Sequence, residues 1–342
     1  MKALVLREPG GPLVLEDVPR PRPGPGEVIV RVKACGLGLT LVWNRNGRRG
    51  PGRLPRVIGH EIAGDVVELG DRVERFRPGD RVTVYYYLTC GECRWCKRGR
   101  DDLCEDQLGN VGRETDGGLA EYVKLPAHNL CRLPPEVTDV AGAITADAVA
   151  TSVHVLGSRA ATRPGETVLI VGAGGGVGIH MVQVAALLGA RVIAADRGEA
   201  KLSLAAANGA TEVLDATTRA LDEEIASLTD GHGVDVVVDL VGSDDTMRQG
   251  LASLGRGGRL VLVGSYSPDA SLTVAHGTLA GERALLGSSY CTRAELEQAV
   301  ELVARGRIRP VVTRTCRLDE ADAVLGAVER QEVAGRACVI LD

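Results

Sequence analysis

Aromatic residues are scarce in this chain: two Trp, six Tyr and one Phe among 342 residues. Binding of single-stranded nucleic acid relies on rows of such rings for stacking, so that class of function is excluded. An excess of one charge is also lacking. Forty basic residues face 45 acidic ones for a net charge of −5, and no run of five like charges occurs. Neither a basic nucleic-acid patch nor an acidic tail is present, and the expected partner is a small molecule. No apolar stretch approaches the roughly 18 residues of a membrane span, and MKALVLREPGGP leads straight into a strand-like run rather than a signal peptide. A cytoplasmic protein without membrane contact is expected. Lysine supplies only five of the 40 basic residues, a bias to which we attach no function.

Glycine, by contrast, is abundant, with 44 residues, and the length suits two domains. Up to about residue 152 the pattern is one of short alternating runs, at 27–32, 62–69, 81–86 and 120–125, separated by Pro/Gly clusters such as PRPRPGPGE. These predict an irregular β-rich domain. After Arg163-Pro164-Gly165 the rhythm changes. A strand TVLIV, a helix over 177–188, a strand RVIAAD, a helix over 199–208 and a short strand near Val213 and Leu214 follow in turn. The series continues with a strand in 234–242, a helix before Gly255 and a strand over 259–265. Alternation of this kind predicts a doubly wound parallel sheet over 153–288. Residues 289–342 then read as a return segment completing the first domain, with a helix over 293–305 and a closing strand RACVILD.

The turn from Gly172 to Gly178, GAGGGVG, lies between a strand and a helix, the context a dinucleotide site needs. Glycines let backbone amides approach a pyrophosphate, and the helix N-terminus adds partial positive charge. Strict G-x-G-x-x-G is not met from Gly172, because Val177 holds the last glycine's place; from Ala173 the turn reads A-x-G-x-x-G through Gly175 and Gly178. Asp196 closes the next strand 18 residues beyond Gly178. A carboxylate there accepts bonds from the adenosine ribose and repels a 2′-phosphate, which favours NAD over NADP. Arg197 follows at once and softens that preference. The alternative is a plain glycine turn with a solvated Asp.

Nine cysteines suit a reducing compartment only if most are ligands. Four form C-x2-C-x2-C-x7-C: Cys90, Cys93, Cys96 and Cys104. Four thiolates close a tetrahedral zinc site with no open position, so such a metal holds a loop, near 88–106, and does no chemistry. An iron–sulfur cluster is the alternative. Cys35, Cys131, Cys291, Cys316 and Cys338 are scattered and read as small buried hydrophobes.

With Gly59-His60-Glu61 in the β-rich half, then the cysteine lobe, GAGGGVG and Asp196, the chain resembles the medium-chain dehydrogenase/reductase superfamily over essentially its whole length, and in particular its zinc-dependent alcohol dehydrogenases. The resemblance implies an α/β protein made of a GroES-like β-rich catalytic domain and a Rossmann domain, a cleft between them, and a homodimer or homotetramer. It implies structural zinc on the four cysteines. It also implies NAD contacts at Thr151, Gly172, Gly174, Gly175, Gly176, Val177, Gly178, Asp196, Arg197, Lys201, Val241 and Gly264.

The catalytic zinc site transfers only in part. The family motif G-x-C-x-(S/T)-D-x-H falls on residues 36–43, where Gly38 stands in place of the Cys ligand, Leu41 in place of the Asp and Trp43 in place of the His. Thr40 keeps the relay hydroxyl. His60 with Glu61 matches the second ligand, and Asp147, in ADAVATS, matches the third. Catalytic zinc takes three protein ligands, so His60, Glu61 and Asp147 could supply a thiolate-free site; Cys35 lies three residues from Gly38 and should not reach it. Zinc in such enzymes polarises a carbonyl oxygen. Without it, Thr40 or His60 could donate a hydrogen bond to a carbonyl, or the substrate could be a conjugated alkene whose enolate spreads the charge. Trp43 suits an apolar or aromatic substrate. The readings are therefore an NAD-dependent alcohol/carbonyl oxidoreductase, an NAD(P)H-dependent reductase of conjugated C=C bonds, or a non-catalytic NAD-binding relative.

Overall fold

A computed structural model describes residues 1–48, 50, 52–264 and 269–341. The chain forms two compact units, Met1–Ala150 with Thr292–Asp342, and Thr151–Cys291. The changeovers fall at 150/151 and 291/292, against 152/153 and 288/289 expected from the sequence.

The first unit is built on one long strand, Glu27–Leu37. Its side chains are almost all buried, and it pairs antiparallel with Ile62–Leu69 along one edge. The other edge is shared: residues 27–31 pair with Tyr122–Pro126, and residues 34–37 pair with Arg336–Ile340. The sheet therefore runs Leu130–Arg132, Arg81–Val84, Ile62–Leu69, Glu27–Leu37, Arg336–Ile340, Val312–Cys316. The strand expected over 27–32 is thus five residues longer. Its second half is held by a partner 300 residues further along the sequence, a pairing local alternation does not reveal. The strand expected over 81–86 stops at Val84, where the chain turns outward into the cysteine lobe and Tyr87–Leu88 pairs with Gly109–Asn110. That expected over 120–125 occupies Tyr122–Pro126, with Ala120 forming an isolated bridge to Ala3.

The second unit holds six parallel strands in the order Glu212–Asp215, Arg191–Asp196, Thr167–Val171, Val234–Asp239, Leu254–Leu262, Ala284–Gly287. Strand order reverses at the central Thr167–Val171, which places the loop after it at the topological switch point of a doubly wound sheet. Continuous runs such as VLIV and VDVVV are what a strand covered on both faces requires. Leu169, Ile193, Val237 and Leu260 pack with Leu221, Ile225 and Leu251 from helices; each such side chain contributes roughly 1.5–3 kcal/mol on full burial. Helix starts follow local signals: Ser243 with Thr246 caps Asp244–Ala252. In the first unit, Thr292 with Glu295 forms the S/T-x-x-E box before Arg293–Ala304. The strand expected over 259–265 instead spans Leu254–Leu262, and Ser265 lies outside the described residues, as does Asp342. Segment Asp139–Arg159 is the one described helix long and apolar enough to cross a membrane, yet 83% of its apolar window is buried inside the fold, as in a core helix.

Candidate active site and metal lobe

The glycine turn follows Thr167–Val171 and ends at the helix Gly178–Leu187. Gly172 takes φ +85, open to glycine at little cost. A Cβ on Gly178 would strike the Gly172 carbonyl and lie 2.8 Å from Ala173 Cα, and one on Gly174 would lie 2.8 Å from Lys201 Cα. A Cβ on Gly175 would meet only the Gly172 oxygen, at 3.4 Å. The tight positions are therefore Gly174 and Gly178, and the space above Gly175 is open. Asp196 accepts from the amides of Gly174 at 2.8 Å and Arg197 at 2.7 Å, with Lys201 Nζ 3.7 Å away. The rim continues at Val241, whose amide donates to Asp239, and at Gly264, where a Cβ would collide with the Leu240 carbonyl.

Two residues not foreseen hold the turn and its rim, His180 the glycine turn and Asp239 the loop at Val241. His180 is fully buried with Nδ1 2.7 Å from the Gly176 carbonyl, and burial pulls its pKa down to about 4. Asp239, buried at the end of its strand, gathers the amides of Val241 and Gly242 and the Thr246 hydroxyl; burial nevertheless raises its pKa. Val177 immediately precedes the helix, and Thr151 is buried in Ala150–Val153. Open backbone above Gly175, a helix N-terminus and a carboxylate at the end of the second strand fit a dinucleotide.

In the first unit the four lobe cysteines converge. Cys93 and Cys96 sulfurs are 3.6 Å apart, Cys104 and Cys90 3.6 Å, and Cys90 and Cys96 4.0 Å. Amides of Cys93 and Glu92 point at Cys90 Sγ, and that of Cys90 at Cys104 Sγ. Amide donors from Cys96 and Glu105 lower the Cys93 pKa to about 6, while burial and neighbouring sulfurs push Cys96 up to about 12. Sulfur spacing and amide-supported thiolates fit a closed tetrahedral zinc site.

His60, Glu61 and Asp147 also converge, their ligand atoms within 4.8 Å of one another. Gly59, at φ +111, brings the chain past Cys35 Sγ and the Leu119 amide, where a Cβ would sit at 2.8 and 3.0 Å, and so aims His60 inward. The His60 ring lies edge-on to Tyr86, with centroids 4.5 Å apart. Its Nε2 is 3.1 Å from Asp147 Oδ2, whereas Nδ1 has no partner. Asp147 sits in a π-helical turn, Thr145–Val149, of the sort often found at functional sites. Thr40 is half-buried in the first turn of Leu39–Arg45 beside Gly38, with Leu41 buried and Trp43 half-buried. Cys35 is buried on the opposite face of its strand from Gly36 and Gly38 and stays out of the cluster.

The unforeseen member is Arg336. Its Nε donates to Glu61 Oε2 at 3.0 Å, a second guanidinium nitrogen contacts Glu61 Oε1, and Asp147 Oδ2 is 3.8 Å away. Burial pulls the guanidinium down to about 10, which leaves it charged at neutral pH. A Cβ on Gly38 would run into this guanidinium. The cluster therefore does not fit a catalytic zinc: the thiolate position offers no donor, a fixed cation fills it, and Glu61 is already engaged. The sequence signal was a lone arginine opening the otherwise apolar, buried RACV.

A parallel nucleotide-type sheet and a β-rich unit bearing a metal lobe define a dehydrogenase architecture, and comparison with known proteins agrees. Residues 24–135 match the alcohol dehydrogenase GroES-like domain and residues 176–305 the zinc-binding dehydrogenase family. The chain is 36% identical to an NAD-dependent alcohol dehydrogenase of Sulfolobus acidocaldarius, over 98% of each chain. It is 35% identical to an acryloyl-coenzyme A reductase of Metallosphaera sedula, over 94% of each. The crystal structure of AibC superposes with a TM-score of 0.92 at 39% identity, covering 99% of this chain and 95% of that one. This chain belongs to the medium-chain dehydrogenase/reductase superfamily, of the zinc-type alcohol dehydrogenase kind, and is an oxidoreductase.

Proposed function

We propose that the chain transfers hydride between NAD and a small alcohol/carbonyl substrate without a metal on the reacting oxygen. The observation that carries this is the guanidinium of Arg336 against Gly38, beside an intact His60, Glu61 and Asp147. NAD, when bound, supplies the nicotinamide carbon that gives or takes the hydride. Gly172, Gly174, Gly175, Gly176, Val177 and Gly178 would receive its pyrophosphate, with Thr151, Val241 and Gly264 completing the contacts. Asp196 would take the ribose hydroxyls, with Arg197 and Lys201 beside it. Residues 151–291 would form the dinucleotide domain, and Cys90, Cys93, Cys96 and Cys104 would hold structural zinc.

His60 donates from Nε2 to Asp147, so its Nδ1 is left to exchange a proton, and Thr40 supplies a hydroxyl for the substrate oxygen. Half-buried Trp43 suits an apolar or aromatic substrate. A homodimer or homotetramer in the cytoplasm completes the reading. The test is NADH consumption with aldehydes, ketones, enones and enoyl thioesters, before and after mild chelation. Carbonyl turnover that survives chelation is expected; turnover of enones alone would overturn the proposal.

A second reading, reduction of a conjugated C=C bond, is favoured by one observation: Gly38 offers no ligand for a metal that would polarise a carbonyl, and conjugation makes that polarisation less necessary. The similarity to acryloyl-coenzyme A reductase points the same way.

A further inference from the structure

We infer that Arg336 is the resident cation of this site, occupying the place of the missing thiolate and supplying to Glu61, in the chain itself, a positive charge where a metal would otherwise bring one. The inference deepens the proposed function and rests on it in taking this cluster as the reacting centre. Strand register makes the exchange local. Ala337 pairs with Leu37 and Cys338 with Gly36, antiparallel, and just beyond the last pair the Arg336 guanidinium lies where a Cβ on Gly38 would stand. Gly36 and Gly38 are bare on that side. A Cβ on Gly36 would strike the Glu61 carboxylate and one on Gly38 the Arg336 guanidinium. The Glu61–Arg336 pair thus lies across two glycines, one in the strand and one just past its end. The substitution that removes a metal's thiolate is the one that makes room for the arginine.

Charge explains why the two arrangements exclude each other. Glu61 is fully buried, Arg336 is 5% exposed and Asp147 6%. Carboxylates this deep need a cation or protons. Arg336 meets Glu61 with two nitrogens and lies 3.8 Å from Asp147, so the Glu61 charge is answered in the chain, while Asp147 is shared between Arg336 and the His60 ring at 3.1 Å. A divalent ion placed among His60, Glu61 and Asp147 would stand beside a fixed positive charge in a low-dielectric pocket, where repulsion is strong. Arg336 is accordingly a positioning residue. It fixes Glu61 and Asp147, and through Asp147 the His60 ring, so zinc affinity is set by the pair 38/336 rather than by the three ligands.

The test is zinc per chain, by elemental analysis, in the full-length wild type, Gly38→Cys, Arg336→Met and the double variant, all purified with zinc in excess. Wild type and Gly38→Cys are expected to hold about one zinc, in the cysteine lobe, and the double variant about two. The double variant chelated until its second zinc is lost, then given about one equivalent of cobalt, should give a thiolate-to-cobalt absorption band that the wild type treated in the same way lacks. A second zinc in the wild type, or a folded double variant that stays at one, overturns the inference. Should the double variant not fold, Arg336→Lys and Arg336→Met decide. Lys should keep the wild-type count and Met should take up extra zinc; equal counts overturn it. The count needs no substrate, so its failure and the failure of the turnover assay are told apart.

Discussion

The first unit contains two clusters of residues of the metal-ligand type, and they meet the problem of charge in opposite ways. The lobe gathers four soft sulfurs, all half-exposed, with backbone amides of Cys90, Glu92 and Cys93 donating to them. The inner cluster gathers hard donors, fully or almost fully buried, around an arginine. The cations of the lobe, among them Arg94 and Arg100, pair with Glu105 and Asp102, so closing the four sulfurs would fall to a cation from solution. The inner cluster carries its cation in the chain. A set of ligand-type residues is therefore not yet a metal site: what stands at the fourth corner decides.

The comparison is broken most directly in the lobe. Cys93→Ser should reduce bound zinc from about one per chain to near none and speed hydrogen exchange over 88–106 more than in the second unit, because structural zinc is worth on the order of 10 kcal/mol. Unchanged metal content would refute the assignment. Next comes the inner cluster. Glu61→Gln leaves a buried guanidinium without its partner and should lower stability by about 3–5 kcal/mol, whereas Glu61→Gln with Arg336→Met should recover much of that; denaturant melts of the two variants beside the wild type give the answer.

A buried histidine held by a backbone carbonyl, that of Gly176, sharpens the contrast with His60. His180 has a folded-state pKa of about 4, and the unfolded chain takes its proton near 6.5. The unfolded state therefore binds more protons between these values, so stability is full above about 6.5 and falls as pH drops towards 4, by on the order of 3 kcal/mol. His180→Gln should flatten that part of the stability profile. A carboxylate with only a loose cation, Asp196 with Lys201 at 3.7 Å, should give the smallest effect. Asp196→Ala is expected to shift the NADH/NADPH preference in kcat/KM by about tenfold toward NADPH, about 1.4 kcal/mol.

How much of this was legible in the sequence follows from distance along the chain. The cysteine lobe and the glycine turn are contiguous, so spacing alone exposes them, and VLIV, RVIAAD and VDVVVD declare buried parallel strands. His60, Glu61 and Asp147 could be picked out only through resemblance to a known motif. Arg336 escaped because its meaning lies in a strand register 300 residues long. The helices Leu221–Leu228 and Ala321–Glu329 were not foreseen either; both are short, and neither opens on a side-chain cap to announce its start. The π-turn holding Asp147 has no periodic signature at all, since it breaks the 3.6-residue repeat.

The bond between Glu61 and Arg336 joins residues 275 apart, which has a consequence for the order in which the protein is made. At ribosomal speeds of about 5–20 residues per second, Glu61 waits roughly a quarter of a minute or more for its partner. During that interval the strand Glu27–Leu37 lacks the neighbour it needs along residues 34–37, and closing the sheet over Glu61 would bury an unanswered carboxylate. The nascent first unit must therefore stay open at this edge until the second unit has been synthesised. The last strand, on its arrival, brings both the missing hydrogen bonds and the missing charge.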